Sequence, residues 1–357
     1  MRYRATILTP TLVGDGQALS PIDYMVWKDH VNVLDQGRIF AMMAKRPVFE
    51  GYLTQLRKAE KFDFQNWGGL AQSAALRRIP FESPAYSPVW DRARAEDLFI
   101  PTFLKGPTGH YLAGSALRGA LRTAVVHKHW MERGEKLFEA WKQQFQNERG
   151  YRYAAQPEES ASMGSRGRDR MRLVAIGDSK TVPAESFRIY LTRTAKLVKQ
   201  SESSFRVDWK PAPTFAEMAV PGTLFEGAWK ERGNVQFLAA SANYWAANQI
   251  RLQKQYAQRS GLPVLNQILS ELEKRLEMIQ GGNRGCLLQI GWGGGFTAKA
   301  AIGDTSHPSY RDILRRMPFY SSALATGLPF PKTRRIVFLE NTPAALPGWI
   351  HLEWAPS

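Results

Sequence analysis

Tyr111-Leu-Ala-Gly-Ser-Ala-Leu-Arg-Gly-Ala-Leu-Arg-Thr-Ala124 begins the stretch of this sequence on which the fold is decided. Its periodicity predicts a helix over Gly114–Arg133. At about 100° per residue, Leu117, Leu121, Ala124 and Val125 fall on one stripe, and Arg118, Arg122, His129 and Arg133 fall on a second stripe beside it. Such a helix buries one edge and offers a row of cations along the other. Ser115 is expected as its N-terminal cap. Gly114 and Gly119 permit close approach of another backbone, and Ser115 and Arg118 sit where the helix dipole favours an anion.

Outward from this helix the period changes from 3.6 to 2. Tyr3, Ala5 and Ile7 alternate with Arg2, Arg4 and Thr6, which predicts a strand with one buried face. Tyr24 to Leu34 reads as a hairpin turning near Lys28-Asp29. Met171–Asp178, Phe187–Thr194 and the stretch from Val220 read as strands, with Lys196–Pro213 a basic connector. Asn243–Arg259 and Pro263–Gln280 read as helices, the second carrying the stripe Leu265, Ile268, Leu269, Leu272, Leu276 and Ile279. Cys286–Ile290, Arg335–Glu340 and Trp349–Trp354 read as strands. This order predicts an α+β fold with antiparallel sheets of the ferredoxin-like, RRM-like kind and helical insertions. The expected division is an N-terminal domain over 1–200, with insertions at about 40–110 and 134–170, and a C-terminal domain over 201–357.

Within the insertions, Pro47–Phe62 reads as a short amphipathic helix, Asn66–Gly109 as an ordered irregular segment, and Glu135–Glu148 as helical. Gly150–Arg172 is polar and basic, sharpest at Ser165-Arg-Gly-Arg-Asp-Arg-Met-Arg172. It buries too little apolar surface to pack alone. It is either a tether or a segment that orders on a phosphate backbone through Arg166 and Arg168.

Lys and Arg total 48 against 32 Asp and Glu, a net charge of +16 over 357 residues. That surplus points to a polyanionic partner. The single cysteine, Cys286, excludes a disulfide framework and a multi-cysteine zinc site, and a reducing, cytoplasmic setting is expected. No stretch is long and apolar enough to span a membrane. None of the six histidines forms a helical His-x-x-x-His pair. His127 and His129, two apart, diverge by about 200° on a helix. No catalytic residue, metal ligand or cofactor is therefore expected.

The most specific local feature is Gln289-Ile-Gly-Trp-Gly-Gly-Gly-Phe-Thr-Ala-Lys299, directly after a predicted strand. Gly291, Gly293, Gly294 and Gly295 let the backbone approach a ligand and present N–H groups to phosphate oxygens. Thr297 and Lys299 add a hydroxyl and a charge, and Trp292 and Phe296 are candidates for stacking on unpaired bases. The run lacks the Gly-Lys-Ser/Thr ending of a Walker loop and the acidic ribose partner of a dinucleotide fold.

Thr9-Pro-Thr-Leu-Val-Gly-Asp-Gly-Gln-Ala-Leu-Ser-Pro-Ile-Asp-Tyr24 resembles the opening of the fifth-Csm-subunit family, part of the RAMP proteins of CRISPR effectors. Gly114-Ser-Ala-Leu-Arg-Gly-Ala-Leu-Arg-Thr-Ala124 is similar to that family's helix start, although Ala113 stands where proline is usual. Gly177-Asp178-Ser179, Pro221-Gly-Thr-Leu-Phe-Glu-Gly227, the loop 291–296, Pro329-Phe-Pro-Lys-Thr-Arg-Arg335 and Leu346-Pro-Gly-Trp349 follow in the family's order. The resemblance implies a non-catalytic subunit that binds CRISPR RNA and caps the backbone filament of a type III-A complex at the guide 3′ end. It implies neighbouring Csm backbone and small subunits, target RNA and trimming nucleases as partners. Gly14, Ser115, Arg118, Arg122, Lys332 and Arg334 join the glycine-rich loop as the RNA contacts so expected. The alternative is a metal-independent RAMP endoribonuclease that cuts precursor transcripts, with His30 and Arg38 the only pair that suggests itself.

Overall fold

The computed structural model describes residues 1–44, 49–58, 72–134, 138–139, 143, 170–202, 204–231, 235–282, 285–302 and 305–355. Arg166 and Arg168, most of Glu135–Glu148 and all but the end of Gly150–Arg172 lie outside them.

Two antiparallel sheets carry the fold. The first contains β1 (Arg2–Ile7), β5 (Val174–Ser179), β9 (Leu224–Glu231), β10 (Cys286–Gln289) and β13 (Trp349–Ala355), in the order β10-β13-β1-β9-β5. The alternation of β1 sets its face: Tyr3, Ala5 and Ile7 are buried and Arg2 and Arg4 exposed. Tyr3 lies opposite Gly227, where any Cβ would sit 2.4 Å from the tyrosine ring. Its hydroxyl donates to the carbonyl of Gly177 across the sheet at 3.0 Å.

The second sheet is built on the long strand β6 (Phe187–Lys199). β8 (Thr214–Ala219) pairs with its first half and β7 (Phe205–Trp209) with its second. β11 (Thr333–Leu339) lines its other edge, followed by β12 (Thr342–Ala345). The basic stretch from Lys196 is thus not a connector. Its alternation continues β6 to Lys199 and returns as β7, with Gln200 N–H donating to Ser204 O at 3.0 Å in the turn. Residue 200 falls in this hairpin, and each large sheet takes strands from both sides of it.

Helix α3 (Gly114–Arg133) keeps the predicted bounds and stripe. Leu117, Leu121, Ala124 and Val125 are buried in one core with Tyr3, Phe225 and Leu352 of the first sheet. Helix α4 begins at Val235, eight residues before the predicted start, and runs to Ser260; α5 spans Pro263–Gly282. Leu265, Leu269, Leu272 and Leu276 of α5 pack with Leu287, Ile336 and Trp349, a core that touches both sheets. At about 25 cal/mol per Å² of apolar surface, buried leucines such as these contribute roughly 2 kcal/mol each.

A third, small sheet joins β2 (Tyr24–Trp27), β3 (His30–Leu34) and β4 (Ala75–Pro80). Its hairpin turns at Lys28 and Asp29, both with positive φ. It packs on α1 (Gln36–Met43), which the sequence reading did not anticipate, and on α2 (Phe49–Lys58) inside the expected helix. A buried carboxylate ties this insertion to the body. Glu217 of β8 is fully buried and accepts from Arg77 of β4 at Nη2 (3.0 Å) and from Phe103 N–H (3.2 Å). His110 Nε2 lies 3.2 Å from its other oxygen. Burial would raise the Glu217 pKa, but the contacts with His110 and Arg77 outweigh it and hold the carboxyl below its usual range.

Candidate nucleic-acid interface

The glycine-rich loop leaves β10 and folds against the exit of β1. Gly291 has φ +75°, and a Cβ there would lie 2.1 Å from Leu12 O, so only glycine permits this approach. Trp292 N–H donates to the same Leu12 carbonyl at 2.8 Å and is therefore committed within the fold. Gly14, two residues on from Leu12, packs on Thr102 O, where a Cβ would lie 2.7 Å away. The N–H groups of Gly293, Gly294 and Gly295 have no acceptor among the described residues. The loop ends in the short helix α6 (Gly295–Lys299).

Loop and helix form one wall of a groove of 780 Å³. The opposite wall comes from α7 (Pro308–Arg315), α8 (Pro318–Ala325) and the segment entering β11. Its aromatic lining is a mutually edge-on trio, Phe296, Tyr320 and Phe330, with ring centroids 5.1–5.6 Å apart. Lys210, Lys299, Lys332, Arg334 and Arg335 line it, and among the described residues no carboxylate does. None of these cations forms an ion pair among the described residues. Fixed positive charge with no compensating acid raises the potential of a concave site and draws in anions.

The five cations are held differently. Lys210 and Lys299 are exposed, and Lys332 is half-buried. The Arg335 guanidinium lies over Trp292, 4.1 Å from the ring centroid, and donates to Thr192 Oγ1 at 3.3 Å. One face of Trp292 is thus already stacked, and the ring also packs against the core. Arg334 sits under the groove rather than on its rim, only 7% exposed. Its Nε donates to Gln253 Oε1 (2.5 Å) and its Nη1 to the carbonyls of Pro331 and Thr333, with the Tyr256 ring 4.4 Å away. Burial lowers its pKa to about 10. Thr297 is also buried, its hydroxyl engaged by Gln253 Nε2 at 2.8 Å, and is not free to meet a ligand.

The row on α3 stands apart from the loop. Arg118 donates through Nη2 to Met171 O at 2.9 Å, beside edge strand β5, whereas the loop leaves the opposite edge strand, β10. Four strand spacings separate those edges, about 19 Å. Ser115 is exposed, and Arg122 is half-buried. Ser115 does not cap α3. The N-cap is Ala113, whose side chain cannot accept, and the first turn is closed by Asp178 from β5, whose Oδ1 accepts from Gly114 N–H at 2.9 Å. Gly114 fits there because a Cβ would lie 2.2 Å from Ile176 O, while Gly119 faces open space.

Elsewhere, Asp23 accepts from Ser20 N–H (2.7 Å) and Ser20 Oγ (2.6 Å), the turn role its Ser-Pro-Ile-Asp setting predicts. His30 Nδ1 contacts Lys28 O at 2.7 Å. Among the described residues no group of three or more His, Cys, Asp or Glu is placed to hold a metal ion, and no helix is long and apolar enough to cross a membrane.

The sequence profile described as the RAMP superfamily matches residues 4–298. No curated protein matches the sequence. The fold is similar to a chain in a cryo-EM structure of a type III-A Csm–crRNA–target RNA ternary complex, with TM-score 0.67 and 17% identity, covering 99% of this chain and 100% of that one. It is also similar to the crystal structure of T. onnurineus Csm5, with TM-score 0.63 and 16% identity, covering 98% and 99%.

Proposed function

The chain belongs to the RAMP superfamily, and on that premise we propose that it is a non-catalytic, guide-RNA-binding subunit of a type III-A Csm complex. In this reading it caps the backbone filament at the guide 3′ end and aids guide maturation. Its partners are CRISPR RNA, the adjoining Csm backbone and small subunits, target RNA within the assembly, and trimming nucleases. The end-to-end fold likeness to a chain of a Csm–crRNA–target RNA complex supports this reading.

The observation that carries the RNA assignment is the groove with five cations, an aromatic lining and no carboxylate among the described residues. Cations placed this way meet phosphates without reading sequence, and aromatic faces accept any unpaired base. The free N–H groups of Gly293–Gly295 supply the donors that a phosphate would accept. Gly14 and Gly291 act indirectly, by allowing the close packing that presents the loop. Ser115, Arg118 and Arg122 form a second basic station at the other edge of the sheet.

The test is single-stranded guide RNA titrated at several salt concentrations. Lys299→Gln with Lys332→Gln is expected to weaken binding and flatten the salt dependence by about 0.7 per lost phosphate contact. An unchanged slope overturns the assignment of the groove. Incubating the protein with precursor RNA in EDTA separates this scaffold from a metal-independent endoribonuclease, which alone would give site-specific products.

A further inference from the structure

A second hollow, of 250 Å³, lies behind the groove and shares Thr297, Phe330, Pro331 and Arg334 with it. Its outer wall is α4. Arg251, Gln255 and Arg259 occupy successive turns of one face of that helix, all three exposed. Eight residues of helix span about 12 Å. The hollow has three cations, Arg251, Arg259 and Arg334, and again no carboxylate among the described residues. This is not a general property of the surface. Lys254 on the same helix is paired with Glu273 of α5, and the apolar hollow between α5 and β12 is lined by Glu82 and Glu271. Among the described residues Arg251 has only the neutral Asn248 Oδ1 as partner (2.8 Å), and Arg259 has no ion pair.

Arg334 gives the hollow its meaning. A buried charge is costly unless an opposite charge compensates it. Every acceptor around Arg334 among the described residues is neutral: an amide oxygen, two carbonyls and an aromatic face. Its Nη2 has no acceptor among the described residues. The guanidinium lies in the wall between two hollows that no carboxylate lines among the described residues, so an anion in either is drawn by the same desolvated charge.

We propose that this second hollow is a phosphate site, in which Arg251 and Arg259 hold the backbone of a single RNA strand after it crosses the Phe330–Pro331 ridge from the groove. The proposal rests on the groove being an RNA site. It adds α4, which the glycine-rich loop and the α3 arginines do not involve, and it makes Arg334 the charge common to two successive phosphates. Gln255, between the two arginines, offers a neutral donor to the same backbone.

The experiment compares Arg251→Gln/Arg259→Gln with Lys299→Gln/Lys332→Gln in the full chain, using fluorescent single-stranded oligouridine across a salt series. Both substituted arginines are exposed, so thermal unfolding is expected to stay at the wild-type temperature and confirms an intact fold. The α4 variant is expected to bind about tenfold more weakly, the worth of one charge-assisted contact, with a salt slope lower by about 0.7 per phosphate. Loss in the Lys299/Lys332 variant alone overturns the second site and leaves the groove standing. Loss in neither variant overturns both. Loss in the α4 variant alone overturns the path from groove to α4, because the strand would then bind without the groove.

Discussion

Asp178 Oδ1 accepts the Gly114 N–H at 2.9 Å and so caps helix α3 from the edge strand of the sheet it packs on. Ser179 completes the clasp: its Oγ accepts from Leu112 N–H, and its own N–H donates to Leu112 O, both at 2.9 Å. The Gly-Asp-Ser strand end therefore fixes where the helix starts. Asp178→Ala is expected to cost about 1 kcal/mol, the usual worth of a cap. Ser115→Ala, which removes an exposed hydroxyl with no capping role, is expected to leave urea unfolding unchanged. Equal losses in the two variants would return the cap to Ser115.

The two glycines of α3 make a matched pair. A methyl on Gly114 meets Ile176 O at 2.2 Å, and one on Gly119 meets nothing within 4 Å. Gly114→Ala is expected to destabilise by about 1–3 kcal/mol through overpacking. Gly119→Ala is expected to stabilise by about 0.5–1 kcal/mol through helix propensity. Thermal unfolding of the two variants reads both signs.

His127 makes stability depend on pH. Burial lowers its pKa from 6.5 to about 4, against the opposing hydrogen bond with Ala301 O and with a smaller contribution from Arg251. The ring lies on Trp245 and Tyr244, and Nδ1 is 2.6 Å from the Ala301 carbonyl. The neutral form is thus favoured in the fold, and the stabilisation is fully present above the unfolded pKa of 6.5. Between that value and about 4 the unfolded chain takes up a proton that the folded one refuses, so stability falls with pH. The loss is about 2 kcal/mol by pH 5. His127→Gln is expected to flatten this part of the profile in melts from pH 7 to 5.

Glu217 acts lower on the scale. Its depressed pKa, held down against burial by His110 and Arg77, gives stability that is present above the unfolded carboxylate pKa of about 4.3 and lost as pH falls through the folded value. Glu217→Gln is expected to cost about 3 kcal/mol at neutral pH, because it leaves the half-buried Arg77 without its counter-charge, and to weaken the acid dependence. Proteolysis between β4 and α3 reports whether the clasp has opened.

On α3, Arg118→Ala with Arg122→Ala is expected to lower the salt slope of guide-RNA binding by one to two phosphate contacts of about 0.7 each. Since Arg118 also holds Met171 O, Arg118→Lys separates the charge from the hydrogen bond to the backbone. Retention of the slope by Arg118→Lys assigns the effect to charge.

The sequence made local periodicity plain and long-range pairing obscure. Helix α3 was legible to both ends because its stripe, its glycine start and Gly134 all lie within the segment. The hairpin at Lys28-Asp29 and the turn at Asp23 were legible for the same reason. The cap was not, because Asp178 lies 64 residues beyond Gly114. Nor was the depth of Arg334 beside half-buried Lys332. Both carry charge in one short basic run, but Lys332 precedes β11, whereas Arg334 lies within the strand and packs on Gln253 and Tyr256. The α4 arginines lay in a segment, Asn243–Arg259, read only as a helix, with no basic face assigned to it.

The placement of β1 has a consequence for biosynthesis. It is the middle strand of its sheet, yet β9 starts more than two hundred residues later in the chain and β13 later still; Trp349 N–H finds Thr9 Oγ1 across 340 residues. A ribosome therefore displays this strand, unpaired along both flanks, while most of the polypeptide is still to be translated. Loop-closure entropy delays its pairing further. The nascent chain depends on its alternating arginines, Arg2 and Arg4, to keep that open edge from adhering to other chains until its partners emerge.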